Sequence, residues 1–373
     1  MRRGAESDGA FSLSTPDSPA TAPLISAGGG VEYLVSITYG GADVSVILDT
    51  GSSDTWLVQS GFSCVDASGA AQAEAACGFG PLYNGSFGAG EKIADQNFNI
   101  TYGDGEFVTG DMGYKDVTIA GLTASHQEVA LGTYAYWNGD SISSGLLGLA
   151  YAAITSAYAG TVPSQDTTQE PYSPVFTTMY TQNVTSPMFS LALQRGANAG
   201  YLALGGLPPV TVSGSWARAP ILQSVVRRTG MAEYAFYTLV PDALVYGGRS
   251  HANSAQYIVD SGTTLVYLPS AVAQAVNNAF TPKAKLIASQ GGYFVQCNAK
   301  TPDFGVTIGG VVFKVSAADL VYQNQRDPAS GLCLTGVQDG GSGPYILGDV
   351  WMQNVVAVFD VGAAEMRFAA HSY

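Results

Sequence analysis

Residues 46–53 read Val-Ile-Leu-Asp-Thr-Gly-Ser-Ser, and residues 257–264 read Tyr-Ile-Val-Asp-Ser-Gly-Thr-Thr. Each is a short apolar run that ends on Asp, a small hydroxyl residue, Gly and two more hydroxyl residues. Each half then carries a second matching piece: Leu146-Leu147-Gly148 and Ile346-Leu347-Gly348. Gly148 lies 99 residues after Asp49, and Gly348 lies 88 after Asp260. The same parts in the same order restrict the chain to two halves of one design.

At 373 residues the chain exceeds what one compact core usually holds, which agrees with two lobes. Only 12% of residues are charged, Gly is frequent (46 residues), and β-branched and aromatic residues abound, so an all-β fold of short strands and tight turns is expected. Alternating apolar patterns predict strands at 31–38, 43–49, 97–103, 107–119, 188–194, 200–205, 256–260, 305–313 and 355–368. Helices are predicted at 174–181, with Ser173 as cap, and at 269–279. The Gly/Ala-rich stretches 65–90 and 157–172 read as surface loops. Leu207-Pro208-Pro209 marks the boundary between a lobe at 24–208 and a lobe at 209–373, after a flexible segment at 1–23.

A net charge of −14 with 15 Lys+Arg speaks against nucleic acid or an anionic membrane as partner. It also limits self-repulsion in acid, where the carboxylates are neutral. The four cysteines fall in two sequence-local pairs, one per half, and read as two disulfides of an oxidising compartment, against four reduced thiols. His126, His251 and His371 are scattered and no zinc spacing occurs, so neither metal nor cofactor is expected. The polar Met1–Pro23 stretch shows no signal peptide, so a signal would lie upstream, and Arg2-Arg3 reads either as a remnant dibasic processing site or as solvated charge. Sequons at Asn84, Asn99 and Asn183 fit a secretory route. Around Asn99, alternation with Phe98 and Ile100 predicts a side chain facing solvent and open to a glycan.

Two aspartates at equivalent strand ends would meet between the lobes, where both cannot ionise cheaply. They would share one proton, and the pair would own both titrations. The carboxylate could then take a proton from a water while the carboxylic acid polarises a carbonyl. Gly51 and Gly262 let backbone N–H groups approach. Thr50 and Ser261 can bond across the interface, and Ser52 and Thr263 can each donate to their own aspartate.

With Trp56, Tyr102-Gly103-Asp104-Gly105 and the two apolar-apolar-Gly pieces, the motifs resemble the pepsin family of aspartic endopeptidases, its fungal secreted members most, from about Val31 to Ala369. The two-aspartate site of such enzymes is the type case of proton sharing. The resemblance implies a bilobal pepsin-like acid protease fold and a monomer, secreted to the medium or to a vacuole. Protein or peptide substrates and pepstatin-like inhibitors would be its partners. It implies Asp49 and Asp260 as catalytic dyad, and Tyr102 at the tip of a hairpin (97–112) with its phenol on the Trp56 indole. Gly103, Asp104, Gly262 and Thr264 would bind substrate backbone as an added strand. Ile47, Trp137 and Leu146 would form an apolar pocket, and Cys64 would pair with Cys77 and Cys297 with Cys333.

Glycosidase chemistry also uses paired carboxylates but does not call for duplicated Asp-Thr/Ser-Gly turns. No Gly-x-Ser-x-Gly elbow and no phosphate-loop or dinucleotide fingerprint occurs. A catalytically silent binding or inhibitor protein of the same fold is the remaining alternative. Both aspartates, both glycines and Tyr102 stand intact against it. Large apolar residues are expected around the scissile bond, with Lys tolerated before it through Asp104.

Overall fold

The computed structural model of the chain describes residues 19–371 apart from 197 and 227. Segment 1–18, with Arg2-Arg3, lies outside the described residues. Ala20–Pro23, expected to be flexible, instead opens strand Ala20–Ala27 and pairs antiparallel with Tyr201–Leu204. Alternate burial of Ala22 and Leu24 against the core supplies the reason.

Among the described residues strands dominate, and they form one 14-stranded sheet and four smaller ones. The large sheet is not confined to the first half of the chain. Strand Val355–Asp360 pairs with Met188–Leu193, and Glu365–His371 pairs with both Val355–Asp360 and Val212–Pro220. The proposed boundary near Leu207 therefore separates two sequence halves that share hydrogen-bonded strands. Phe189 and Phe359 stack at 4.7 Å in this shared region, with Tyr237 edge-on to both. The Tyr237 hydroxyl donates to Leu149 O at 2.6 Å. Arg195 also binds Asp319 across the halves through two N–H groups, the Nη2 contact at 2.8 Å.

The predicted strands at 305–313 and 355–368 are each two strands. Gly309-Gly310 turns Phe304–Ile308 back into Val311–Lys314, and Asp360 Oδ1 accepts from Ala363 N–H in the turn before Glu365–His371. Alternation along a hairpin resembles alternation along one strand, so the turn is hard to see in sequence. Helices Val175–Thr181 and Ser270–Asn278 sit where expected, although Pro174 rather than Ser173 is the N-cap. None of the helices among the described residues is long and apolar enough to cross a membrane. Disulfides join Cys64 to Cys77 and Cys297 to Cys333.

Asn99 lies on the face away from the core, as expected, but is half-buried and not open to solvent. Phe98 and Ile100 are buried as alternation requires, but strand Ala157–Ala159 pairs along the edge of Lys92–Thr101 and the segment after it, 160–166, folds over the opposite face. Asn99 Nδ2 donates to Pro163 O at 3.1 Å and to Asp166 Oδ2 at 2.8 Å.

Candidate active site

The two aspartates stand at matching places in two similar folds. Strand Ala42–Asp49 runs parallel to Gly145–Gly148, which pairs antiparallel with Thr55–Cys64. In the second half, Tyr257–Val259 runs parallel to Tyr345–Leu347, which pairs antiparallel with Val266–Leu268. After each apolar-apolar-Gly piece the chain hooks onto the Asp loop: Ala150 N–H donates to Ser52 O, and Asp349 N–H donates to Thr263 O, each at 2.9 Å.

Each carboxylate is held by its own loop. Gly51 N–H donates to Asp49 Oδ1 at 2.6 Å and Ser52 Oγ to Oδ2 at 2.5 Å. Gly262 N–H donates to Asp260 Oδ1 at 2.8 Å and Thr263 Oγ1 to Oδ2 at 2.7 Å. The loops are also bolted to each other. Thr50 Oγ1 donates to Val259 O at 2.9 Å and accepts from Ser261 N–H at 3.0 Å. Ser261 Oγ donates to Leu48 O at 2.7 Å and accepts from Thr50 N–H at 3.2 Å. These four bonds span more than 200 residues of chain, so the two carboxylates are fixed as a unit.

The loops approach too closely for side chains at the glycines. A Cβ on Gly51 would lie 2.5 Å from Asp260 Oδ1, and one on Gly262 would lie 2.4 Å from Asp49 Oδ1. Asp49 is 5% exposed and Asp260 8%, so little solvent separates them. Burial, then the facing Asp260 carboxylate, holds the Asp49 carboxyl well above the usual carboxylate range despite its two donors. Such a pair can keep one proton between two oxygens while presenting both an acid and a base.

Tyr102 opens the turn between Lys92–Thr101 and Phe107–Ile119, with its N–H on Glu106 O at 2.8 Å. Its phenol accepts from the Trp56 indole N–H at 2.8 Å. Burial and then Asp49 push the phenol well above its ordinary range, so it stays protonated. Gly103 and Asp104 are exposed at the tip, and Asp104 Oδ1 accepts from Glu106 N–H at 3.0 Å. Ile47, Trp56, Trp137 and Leu146 belong to one buried cluster with Tyr102 packed against it. Ile47 and Leu146 are register partners, and the Trp137 ring stands edge-on to Trp56 and Tyr102 at 5.3 and 5.4 Å. The Thr264 hydroxyl donates across the halves to Val31 O at 2.6 Å.

Sequence reasoning missed a further buried carboxyl beside the two aspartates. Asp349 is fully buried and neither oxygen has a hydrogen-bond partner among the described residues. Burial, then Asp260, Glu32 and Asp49, raises it well above the carboxylate range. A signal existed: Leu149 occupies the matching place in the first half, so Asp349 breaks the repeat at the site itself. Glu32 was missed too; burial and then Asp140 push its carboxyl up to about 7. No group of three or more His, Cys, Asp or Glu residues among those described is arranged to hold a metal ion.

The eukaryotic aspartyl protease family profile matches residues 32–371. A probable aspartic-type endopeptidase of Aspergillus fumigatus is 40% identical over 97% of this chain and 83% of its own length. Penicillopepsin-2 of Penicillium janthinellum is 32% identical over 91% of this chain and 78% of its own. The crystal structure of an aspartic proteinase from Irpex lacteus shares the fold, with a TM-score of 0.71 at 20% identity over 95% of this chain and 98% of that one. With the duplicated loops and this near full-length likeness together, the chain belongs to the eukaryotic aspartyl protease family and is a pepsin-type aspartic endopeptidase.

Proposed function

We propose that Asp49 and Asp260 are the catalytic dyad, acting in acid on proteins and peptides whose scissile bond is flanked by large apolar residues. The observation that carries this reading is the reciprocal approach of each carboxylate to the other loop's glycine, inside the Thr50–Ser261 bolt. In the singly protonated pair the carboxylate takes a proton from a water as its oxygen attacks the peptide carbonyl. The carboxylic acid gives its proton to the carbonyl oxygen, and the tetrahedral intermediate then loses the amine after a proton reaches its nitrogen. No covalent enzyme intermediate forms. Asp49→Asn and Asp260→Asn should each lower kcat by ~10³-fold or more while the melting temperature in acid holds. If either variant kept a tenth of the wild-type rate, the assignment would fail.

Gly103, Asp104, Gly262 and Thr264 suit substrate held as an added strand. The buried wall of Ile47, Trp137 and Leu146 supports the apolar preference, and a pepstatin-like inhibitor should occupy the same groove. We further propose an extracellular or vacuolar destination and a monomer, in keeping with two disulfides and the fungal relatives. The lobes 24–208 and 209–373, the first extended back to Ala20, are proposed as the two halves that carry one aspartate each.

A further inference from the structure

The stretch Cys64–Cys77 and the residues after it read in the sequence as surface loop, yet they deliver an aromatic ring to the wall beside the dyad. Phe79 stacks on Trp137 with ring centroids 5.7 Å apart and planes 12° from parallel. It also stands edge-on to Trp56 at 6.0 Å and to Phe62 at 5.4 Å. Trp137 meets Trp56 and Tyr102 edge-on. Phe79 is thus one ring removed from the Tyr102 phenol and touches the indole that anchors it.

The backbone that carries Phe79 is fixed against the segment that carries Trp137. Gly139 N–H donates to Cys77 O at 3.0 Å, Ser141 N–H to Gly78 O at 2.7 Å, and Gly80 N–H to Ser143 O at 2.7 Å. Cys77 is fully buried and tied by its disulfide to Cys64, at the end of the strand that holds Trp56. Three backbone hydrogen bonds and a disulfide therefore clamp Phe79 against Trp137. Edge-to-face and stacked rings lose much of their attraction when moved, so the stack resists displacement of the Trp137 indole away from the cleft.

We propose that Phe79 is a positioning residue for substrate selection: it sets how far the Trp137 indole projects into the apolar pocket, and so how large a side chain the pocket accepts. This rests on the reading of Ile47, Trp137 and Leu146 as pocket wall. Removing the Phe79 ring opens space behind Trp137, into which the indole relaxes. The pocket deepens, medium-sized side chains lose contact, and the largest gain room.

The test compares wild type with Phe79→Ala and Phe79→Tyr on peptides that differ only in Leu or Trp immediately before the cleaved bond. Rates are normalised to active sites titrated with a statine-type inhibitor, which removes any contribution from misfolded protein. Phe79→Ala should shift the Trp-to-Leu ratio of kcat/KM by at least threefold toward Trp, mainly through KM of the Leu peptide, and Phe79→Tyr should restore the wild-type ratio. An unchanged ratio in Phe79→Ala, whether both rates fall together or neither moves, would overturn the proposal. Asp49→Asn serves as control in the same assay: if it remains active, the cleft reading itself has failed. If it is inactive and the ratio is unchanged, only the role of Phe79 has.

Discussion

The Trp56 indole N–H donates to the Tyr102 phenol at 2.8 Å, joining the buried start of strand Thr55–Cys64 to the tip of a hairpin 46 residues later in the chain. A hairpin tip with exposed Gly103, Asp104 and Gly105 gains one fixed point from this bond. Trp56→Phe keeps most of the ring and removes the donor; Tyr102→Phe removes the acceptor. Each should lower kcat/KM by up to ~10-fold, the equivalent of one buried hydrogen bond. The double variant should cost little more than either single one, because both remove the same contact. Fully additive losses on one peptide substrate would show that the bond does not position the tip.

Stability should fall from acid toward neutrality. Burial is the leading cause that pushes Asp54 up to about 6 and both Glu32 and Glu128 up to about 7. A carboxyl raised in the folded state keeps its proton while the unfolded chain has already lost it. Between about pH 4 and pH 7 the folded form binds more protons, so stability is full at the low end and is lost as pH rises through the folded values. The melting temperature should peak near pH 4 and drop by ~10 °C or more at pH 7. Glu128→Gln removes one such group, whose Oε1 is buried without a partner. It should raise the midpoint at pH 7 by a few degrees and leave that at pH 4 nearly unchanged. A flat melting profile over this range would contradict the argument.

The three sequons should behave differently in a secretory host. Asn84 and Asn183 are exposed, whereas the Asn99 amide is held by Asp166 and the Pro163 carbonyl. Peptide mapping after glycan release should find Asn84 and Asn183 modified and Asn99 bare. Asn99→Ala should also cost ~1–3 kcal/mol, since Asp166 keeps only the Asn97 amide at 2.9 Å. A glycan on Asn99 of the folded protein would mean that the 160–166 segment is not closed over it as described.

The parts of the site that repeat were legible because duplication makes weak motifs strong. Asp-Thr-Gly alone is a common turn, but two copies, each followed by an apolar-apolar-Gly piece, define the Asp49 and Asp260 loops and the bonds between Thr50 and Ser261. What stayed hidden were contacts made by one copy only. Phe79 lies in a Gly/Ala-rich stretch with no periodicity, so nothing local marks it as a neighbour of Trp137. Asn99 was misread because strand alternation names two faces but not what covers each. Asp349 was visible only as a departure from the repeat, at the place where the first half has Leu149.

Asp104 should decide how the enzyme treats a substrate lysine. Its Oδ1 accepts from Glu106 N–H at 3.0 Å, which closes the hairpin turn, and the residue is exposed at the tip. Burial, then Asp104, raises the Tyr267 phenol, so the carboxylate is felt by the opposite half of the molecule. A lysine before the cleaved bond could lay its methylenes on the apolar wall and carry its ammonium to Asp104, a charge-assisted contact. A phenylalanine gains nothing from that charge. Asp104→Ser is the informative variant, because a serine hydroxyl can take over the turn-closing role without the charge. On paired peptides it should lower kcat/KM for Lys by ~10-fold and change that for Phe by less than ~2-fold. Raising the salt concentration should erode the wild-type preference, since Asp104 is exposed at the tip. Equal losses on both peptides would mean that Asp104 serves the substrate backbone or the turn and is blind to the side chain.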